Sequence, residues 1–468
     1  MSCFIVRSEI RKDKGVVVVK RIYDVIVAGA GPGGMTAALS AARNGMKVLL
    51  IDRNGCPGGM NTSGMVCPLM TFHAGEKQVV KGLAQEIVDR LAKRGATLGH
   101  IPDPIGMVST ITPIDPEMLK LVYFEMLAEE PNIKTLLYTV LESAQCEDGV
   151  VKSVTVLNKS GKTVYQAKTF IDATGDGDLA VACGADCVLG RSRDGMTQPM
   201  TLMFTVGGVN LPETVDYVEK NPEQFILNKK CDLRKYLAVS GFFNLVTEAQ
   251  EKGELTLPRD RVLFFQGVHE GEVLVNMTRV TKLSGVNAKD LTAAEFEAHK
   301  QVDEILRFFQ NYIPGFQNCY LRVVASVTGV RESRRIVGIE TLELDDVLNN
   351  AVSDRSVAVC AWPVDIHDPV GNELNWMRKA KACCYDIPYG VMVPKKLKNL
   401  LATGRCISAT HEALASARIS ATAMALGEAA GAAAAIGVKN SQSLAQVDVG
   451  ELQKKLLAQG AVPGKSWL

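Results

Sequence analysis

His367 stands in the run Asp365-Ile366-His367-Asp368, with a carboxylate on either side. Two such neighbours set an imidazole's tautomer and raise its basicity. A base of this kind suits removal of a hydroxyl proton while hydride leaves the same carbon. A hydrogen-bonded structural turn explains the same residues, and the sequence leaves both readings open. Arg331, Arg334 and Arg335 gather around Glu332 and Ser333. On a helix these three arginines share one face. They then form either a clamp for an anionic or polyhydroxylated substrate or an internal salt-bridge network, the reading that the mixed charges favour. Asn276 and Arg279 carry the same ambiguity. Cys183 and Cys187 have no histidine nearby and make a poor zinc site, so no metal is expected.

These groups need elements to hold them. Ile22 to Ala28 is a short apolar, β-branched run, the pattern of a buried parallel strand. It leads into Gly29-Ala30-Gly31-Pro32-Gly33-Gly34, in which Gly29, Gly31 and Gly34 fit G-x-G-x-x-G. The first glycine allows the turn, the second lets backbone approach a pyrophosphate, and the third lets helix pack on strand. A helix is expected from Pro32 to Asn44, stopped by Gly45. A second strand, Lys47 to Ile51, ends at Asp52, close to the ~20-residue offset expected of the acid that holds ribose hydroxyls. Strand, helix and acid together make this a dinucleotide fingerprint in its proper context. They do not separate FAD from NAD.

Three further segments bear on that choice. Gly55 to Gly64 (GCPGGMNTSG) is a glycine-rich loop able to run close to a bulky ligand. Phe170 to Asp178 (FIDATGDGD) ends a strand and turns sharply, after two β runs, Val150 to Leu157 and Thr163 to Phe170, joined by Asn158-Lys159-Ser160-Gly161 in a hairpin pattern. Asn399 to Ala413 leads a strand through Gly404 into a long alanine-rich helix. With GGMNTSGMV, IDATGDGDLA, QPMTLMF (198–204), EVLVNMTRV (272–280), GVRESRRIVG (329–338), DIHDP (365–369) and GRCISATHEALASARI (404–419), the chain resembles the FAD-dependent oxidoreductases of the glutathione-reductase-like flavoprotein superfamily. The likeness runs over nearly the whole chain. It is most like a bacterial family whose members are mostly uncharacterised, so it implies a cofactor and not a substrate.

The resemblance implies FAD, extended over Gly29, Gly31, Pro32, Gly33 and Gly34, with Asp52 and Arg53 at its adenosine end. It implies further contacts from Gly59, Met60 and Asn61, from Ala173, Thr174 and Gly175, and from Gly404 and Arg405. A helix starting near Ala413 to Ser416 would aim its positive end at the flavin and favour the anionic reduced ring. His411 and Arg418 then lie near the ring and, with His367 and Arg331, are the candidates for catalysis. Where many relatives have an acid, this chain has Arg405, which suits pairing with a pyrophosphate. Gly390 stands where an arginine is expected in relatives. There is no second G-x-G-x-x-G, and Cys56 and Cys67 do not form the C-x4-C redox pair of disulfide reductases. Adjacent Cys383 and Cys384, like the other cysteines, read as small buried hydrophobes. His73 is a weaker candidate, and His100, His269 and His299 read as surface or structural.

The expected class is α/β: a discontinuous Rossmann-like FAD-binding domain with an inserted mixed α/β substrate or cap domain. The FAD-binding part takes 1–190, with a cap contribution from about 65–130, and returns at 381–440. The cap takes 191–380 and a helical tail 441–468. Within the cap, strands fit Leu202 to Val206, Arg261 to Phe265 and Val273 to Met277, and a helix fits Ala293 to Phe309. The 468 residues carry 52 basic and 51 acidic side chains, a balance that steers toward neither nucleic acid nor an anionic membrane. Charges begin too early after Met1 for a secretory segment, so twelve cysteines read as reduced thiols and the compartment as cytoplasmic. Ala413 to Gly437 reads as a buried helix, and Gly427 and Gly431 as points of close helix packing. The partner expected is a small-molecule substrate, with a separate electron donor or acceptor. The leading expectation is hydride transfer from a small hydroxyl-bearing substrate to flavin. Reduction of an activated double bond fed by NAD(P)H or a carrier is the alternative, and FAD as a structural or sensory ligand is another.

Overall fold

The computed structural model describes residues 10–13, 16–370, 374–377 and 383–468. The N-terminal run read for a secretory segment, and the expected boundary at 380–381, lie outside them. The fingerprint strand is longer than its apolar run suggests: β1 spans Val16–Ala28 and leads through the glycine turn into α1, Pro32–Arg43, which has Pro32 in its first turn. The second strand, β2, is Val48–Ile51. Helices α2, Leu83–Ala92, and α3, Pro116–Ala128, precede β3, Ile133–Leu136. A meander follows, of β4 (Val140–Glu147), β5 (Val150–Asn158) and β6 (Gly161–Asp172). The sheet order is β4-β5-β6-β1-β2-β3. β6 runs parallel to β1, with Phe170 opposite Ile26, so the meander feeds its last strand back into the parallel core. Val25, Ile26 and Val27 are all buried, as a strand covered on both faces requires.

The middle of the chain builds a second sheet from β7 (Phe204–Gly207), β8 (Ala238–Gly241), β9 (Val262–Gln266), β10 (Val273–Val275) and β11 (Tyr320–Val324), ordered β8-β9-β10-β7-β11 and antiparallel at every pairing. The expected helix is α4, Ala288–Tyr312, capped by Asn287, whose side chain accepts from Lys289 and Asp290 N–H. A short strand, Arg334–Ile336, pairs with Cys187–Leu189, tying the cap region back to the nucleotide side. The chain then returns to the main sheet as β12, Leu400–Ala402, which pairs with β6 in parallel. Three helices follow: α5, His411–Ala417; α6, Ser420–Asn440; and α7, Val449–Ala458.

α6 lies directly on α1. A Cβ on Gly427 would come 2.0 Å from the Gly33 carbonyl, and one on Gly431 would come 2.3 Å from that of Ala37. Thr36 and Ser40 hydroxyls donate across the gap to the carbonyls of Met424 (2.7 Å) and Glu428 (2.8 Å). The two glycines thus serve close packing, as their spacing suggests. By length and composition α6 is apolar enough to cross a membrane, yet 89% of its most apolar window is buried within the protein. The expected single helix from Ala413 is instead two, α5 and α6. Ile419 adopts an extended conformation between them (φ −69°, ψ 154°), and Arg418 caps the end of α5. The break gives the segment a second helix N-terminus. The eleven described cysteines are free, Cys383 and Cys384 among them.

Candidate active site

The fingerprint turn is built by omission of side chains. Gly29 has φ +97°, and a Cβ there would lie 2.3 Å from the Ala173 carbonyl oxygen, so the turn after β6 is pressed against it. On Gly34 a Cβ would meet the Gly29 carbonyl at 1.8 Å. Gly31 differs, because its Cβ position has nothing within 4 Å among the described residues. The turn is therefore packed on two sides and open on one, at the position where backbone approaches a pyrophosphate. Asp52 is buried. Its two carboxylate oxygens accept from Ala30 N–H (2.6 Å) and Asn54 N–H (2.7 Å), while burial raises its pKa. Arg53 follows it at the end of β2.

The glycine-rich loop folds over this turn. Gly58 N–H donates to the Ala30 carbonyl (2.7 Å), and a Cβ on Gly59 would come 2.9 Å from Gly31 Cα. Met60 and Asn61 follow. Asn61 is fully buried. Its Oδ1 accepts from the Ser420 hydroxyl at the start of α6 (2.5 Å), and its Nδ2 has no acceptor among the described residues. The hydroxyls of Thr403 and Thr422 are likewise buried without partners among the described residues, and a Cβ on Gly33 would lie 3.4 Å from Thr403 Oγ1 and 3.5 Å from Gly404 N. Beside them Asp172, fully buried, accepts from Thr174 N–H (3.0 Å), Thr174 Oγ1 (2.7 Å) and Ala180 N–H (2.8 Å), locking the Ala173-Thr174-Gly175 turn. Unpaired buried donors around an open glycine turn fit a ligand carrying phosphates and a polar ring edge. Arg405 takes a different position from the one its chemistry suggests. Its guanidinium donates to Asp176 Oδ1 and to the Ser333 hydroxyl, each at 2.8 Å, so its charge is engaged within the protein.

A second group of polar residues gathers beside the break between α5 and α6. His367 is buried, with Nε2 3.4 Å from Asp365 Oδ2 and Nδ1 3.5 Å from Arg279 Nη1. Its backbone N–H donates to Gln198 Oε1 (3.2 Å). Arg418 donates to the Asp365 carbonyl (3.2 Å) and lies 3.8 Å from the Asp365 carboxylate. Of the two carboxylates flanking His367 in sequence, Asp365 faces the ring. Asp368 Oδ2 lies 3.8 Å from Arg191, and its carbonyl holds Arg279 (2.9 Å). The expectation of raised basicity is corrected: burial, and then the Arg331 charge, push the His367 pKa down to about 3, outweighing Asp365. The ring is neutral. Burial pulls the Asp365 carboxyl upward, but His367 and the arginines hold it well below the usual range.

The three clustered arginines do not share a helical face. Arg334 and Arg335 lie on a strand, where successive side chains point to opposite faces. Arg334 pairs with Asp178, and Arg335 with fully buried Glu332, which also holds His411 Nδ1 (2.8 Å). The salt-bridge reading is the right one for these two. Arg331 is the exception: its Nη1 donates to the Pro199 carbonyl (2.8 Å) and Thr201 Oγ1 (2.5 Å), both uncharged. His411 is therefore an internal hydrogen-bonding residue, while Arg331 and Arg418 face His367 electrostatically. His73 lies elsewhere, beside His100 and hydrogen-bonded to Thr110 (3.1 Å). Asn276 Oδ1 is buried without a partner among the described residues. Gln198 and Arg259 join the group with no sequence signal beyond QPMTLMF and a bare Pro258-Arg259-Asp260-Arg261 run.

The family described as FAD dependent oxidoreductase matches residues 24–456. The chain belongs to that family. Its cofactor is FAD, and the residues of the glycine turn and the loop over it fit that group. Among curated relatives, thiamine thiazole synthase of Methanococcus aeolicus is 31% identical over 34% of this chain and 57% of its own length. Thioredoxin reductase of Listeria monocytogenes is 58% identical over 8% of this chain and 12% of its own. One component of the opine oxidase of Rhizobium meliloti is 52% identical over 8% of each. The chain thus spans between 8% and 57% of the length of these relatives. Among solved structures, a geranylgeranyl bacteriochlorophyll reductase-like protein from Thermoplasma acidophilum aligns over 96% of this chain and 85% of its own, at 14% identity and a TM-score of 0.46. L-proline dehydrogenase from P. horikoshii aligns over 94% and 99%, at 11% identity and 0.43.

Proposed function

We propose that this FAD-dependent oxidoreductase is a dehydrogenase or oxidase of a small polar substrate bearing a hydroxyl group. The observation that carries the proposal is the neutral, buried imidazole of His367, held between Asp365 and Arg279 beside the α5–α6 break. Asp365 at Nε2 favours the tautomer with its proton there, which leaves the Nδ1 lone pair as acceptor. Arg279 meets that lone pair at 3.5 Å, the outer limit of a hydrogen bond, so a substrate hydroxyl can take its place. Bound FAD supplies an acceptor for two electrons delivered as hydride. The carbinol C–H and O–H bonds break, a C=O bond forms, and the hydroxyl proton goes to His367. Asp365 stabilises the imidazolium that results. Ser420 fixes Asn61 at the start of α6, leaving Asn61 Nδ2 and Thr422 Oγ1 to hold the cofactor.

The three-segment pattern, with the chain returning to the same sheet as β12, supports placing the protein among the glutathione-reductase-like flavoproteins. A separate electron acceptor reoxidises the cofactor on this reading. The test is anaerobic mixing of the yellow protein with hydroxy acids and sugars while the flavin absorbance band is followed. Bleaching by one of these classes is the expected outcome. Bleaching by NADH or NADPH alone would instead make the protein a reductase and remove His367 from its proton-accepting role.

A further inference from the structure

Four arginines remote from one another in sequence converge on Asp365 and His367. Arg331 feels the charges of Arg418, Arg259 and Arg279 as well as that of Asp365. Arg418 is matched by Asp365, and Arg279 by the Asp368 carbonyl. Among the described residues Arg331 donates to a carbonyl and a hydroxyl. Arg259 is buried, and its guanidinium donates no hydrogen bond to the described residues, while neighbouring Asp260 turns to Arg261 (2.7 Å). Gln198, 1% exposed, touches the His367 backbone through Oε1 and has no acceptor for Nε2 among the described residues. Guanidinium groups remain protonated in proteins. Asp365 opposes both Arg331 and Arg259, and Asp260 also opposes Arg259, but the four guanidinium groups share these carboxylates, and a surplus of positive charge at buried or half-buried positions is unfavourable.

We propose that this cluster seats the carboxylate of the substrate, held by Arg331 and Arg259 with Gln198 Nε2, so that the substrate is a small hydroxy acid. The inference rests on the reading of His367 as acceptor of the hydroxyl proton. Planar guanidinium forks match a carboxylate in two parallel hydrogen bonds. A doubly charged phosphate fits less well, because the Asp365 carboxylate faces the same arginines. A bound carboxylate also offsets the Arg331 charge that weakens His367 as a base, so binding the right substrate prepares the proton acceptor. A neutral sugar does neither.

FAD-loaded protein titrated with propionate, propionamide and inorganic phosphate, with the bound-flavin spectrum as readout, tests the site without chemistry, since none of these carries an oxidisable hydroxyl. Propionate is expected to give a saturable spectral shift, propionamide none, and phosphate a weaker one. Arg331→Met should weaken propionate binding on the order of tenfold to a hundredfold, and Arg331→Lys, which keeps charge but loses the fork, should fall between. Arg259→Met serves if the first variant loses FAD, because it strands no acceptor among the described residues. Equal binding of propionate and propionamide, tighter binding of phosphate, no binding by any probe, or unchanged propionate affinity in the variants overturns the proposal. If propionate binds as expected but hydroxy acids leave the flavin oxidised, the carboxylate site stands and the hydroxyl-oxidation reading falls.

Discussion

The cofactor cradle and the proposed carboxylate site are built on opposite principles. The cradle works by the absence of side chains: Gly29, Gly31 and Gly34 bring backbone to a ligand within one continuous turn. The proposed carboxylate site would work by long side chains, brought by Gln198, Arg259, Arg279, Arg331, Asp365 and Arg418 from separate stretches of chain. A backbone site tolerates no added atom where it is packed, at Gly29 and Gly34, and only on its open side, at Gly31, does an added atom spare the fold. A side-chain site tolerates substitution structurally and answers in affinity or rate. Each region should therefore fail in its own way.

The largest effect is expected at Gly34. A methyl 1.8 Å from the Gly29 carbonyl cannot be accommodated without moving the first helix from the first strand, so Gly34→Ala should yield little folded protein by circular dichroism. Next comes His367→Asn, which should fold and retain its yellow colour. The anaerobic reduction rate should fall about 10²–10⁴-fold, the usual range for loss of a general base, with the substrate's apparent affinity changed little. A parallel loss of FAD would place His367 in the cradle and break the distinction. Gly31→Ala sharpens it: nothing lies within 4 Å of that Cβ, so the fold should survive with its melting temperature nearly intact. FAD affinity should drop on the order of a hundredfold, because the methyl occupies the path of backbone approach to pyrophosphate. Ultrafiltration of the flavin from the variant checks this.

The same contrast explains what could be read in the sequence. The cradle's strand, turn, helix and acid follow one another within Val16 to Asp52, so local pattern carries them, and β5, β6 and α4 announce themselves by alternation, turn residues and helical period. The break at Ile419 carries no glycine or proline and stays hidden until tertiary contacts at Arg418 and Ser420 appear. The arginine run at 331–335 has helical spacing but lies in a loop and short strand, because pairing with Cys187–Leu189 overrides local pattern. His367 shows the deeper limit. Its flanking carboxylates are visible in sequence, whereas Arg331, which lowers its basicity, comes from elsewhere in the chain. Arg405 has the chemistry of a pyrophosphate ligand, but Asp176 and Ser333 take it first.

One buried charge tests the cradle half without touching its ligand. Glu428 lies on α6, accepts from Leu83 N–H at the start of α2 (2.9 Å), and has its pKa lifted to about 7 by burial. Arg43 and the Leu83 hydrogen bond only partly offset that burial. Because the folded value lies above the ordinary carboxylate value, the neutral acid is the form that suits the fold. Stability is fully present below the unfolded pKa near 4.5 and declines as pH rises to about 7. The loss amounts to about 3 kcal/mol above that range. Glu428→Gln keeps an oxygen for Leu83 N–H and carries no charge, so its stability should be flat where that of the native protein falls. Denaturant unfolding of both proteins near pH 5 and near pH 8 should show the variant gaining about 2.5 kcal/mol relative to the native protein across that interval, the first part of the loss having occurred below pH 5. An equal difference at both pH values would mean that the ionised carboxylate is as well matched here as Asp365 is among its arginines, and the two regions would then manage buried charge alike.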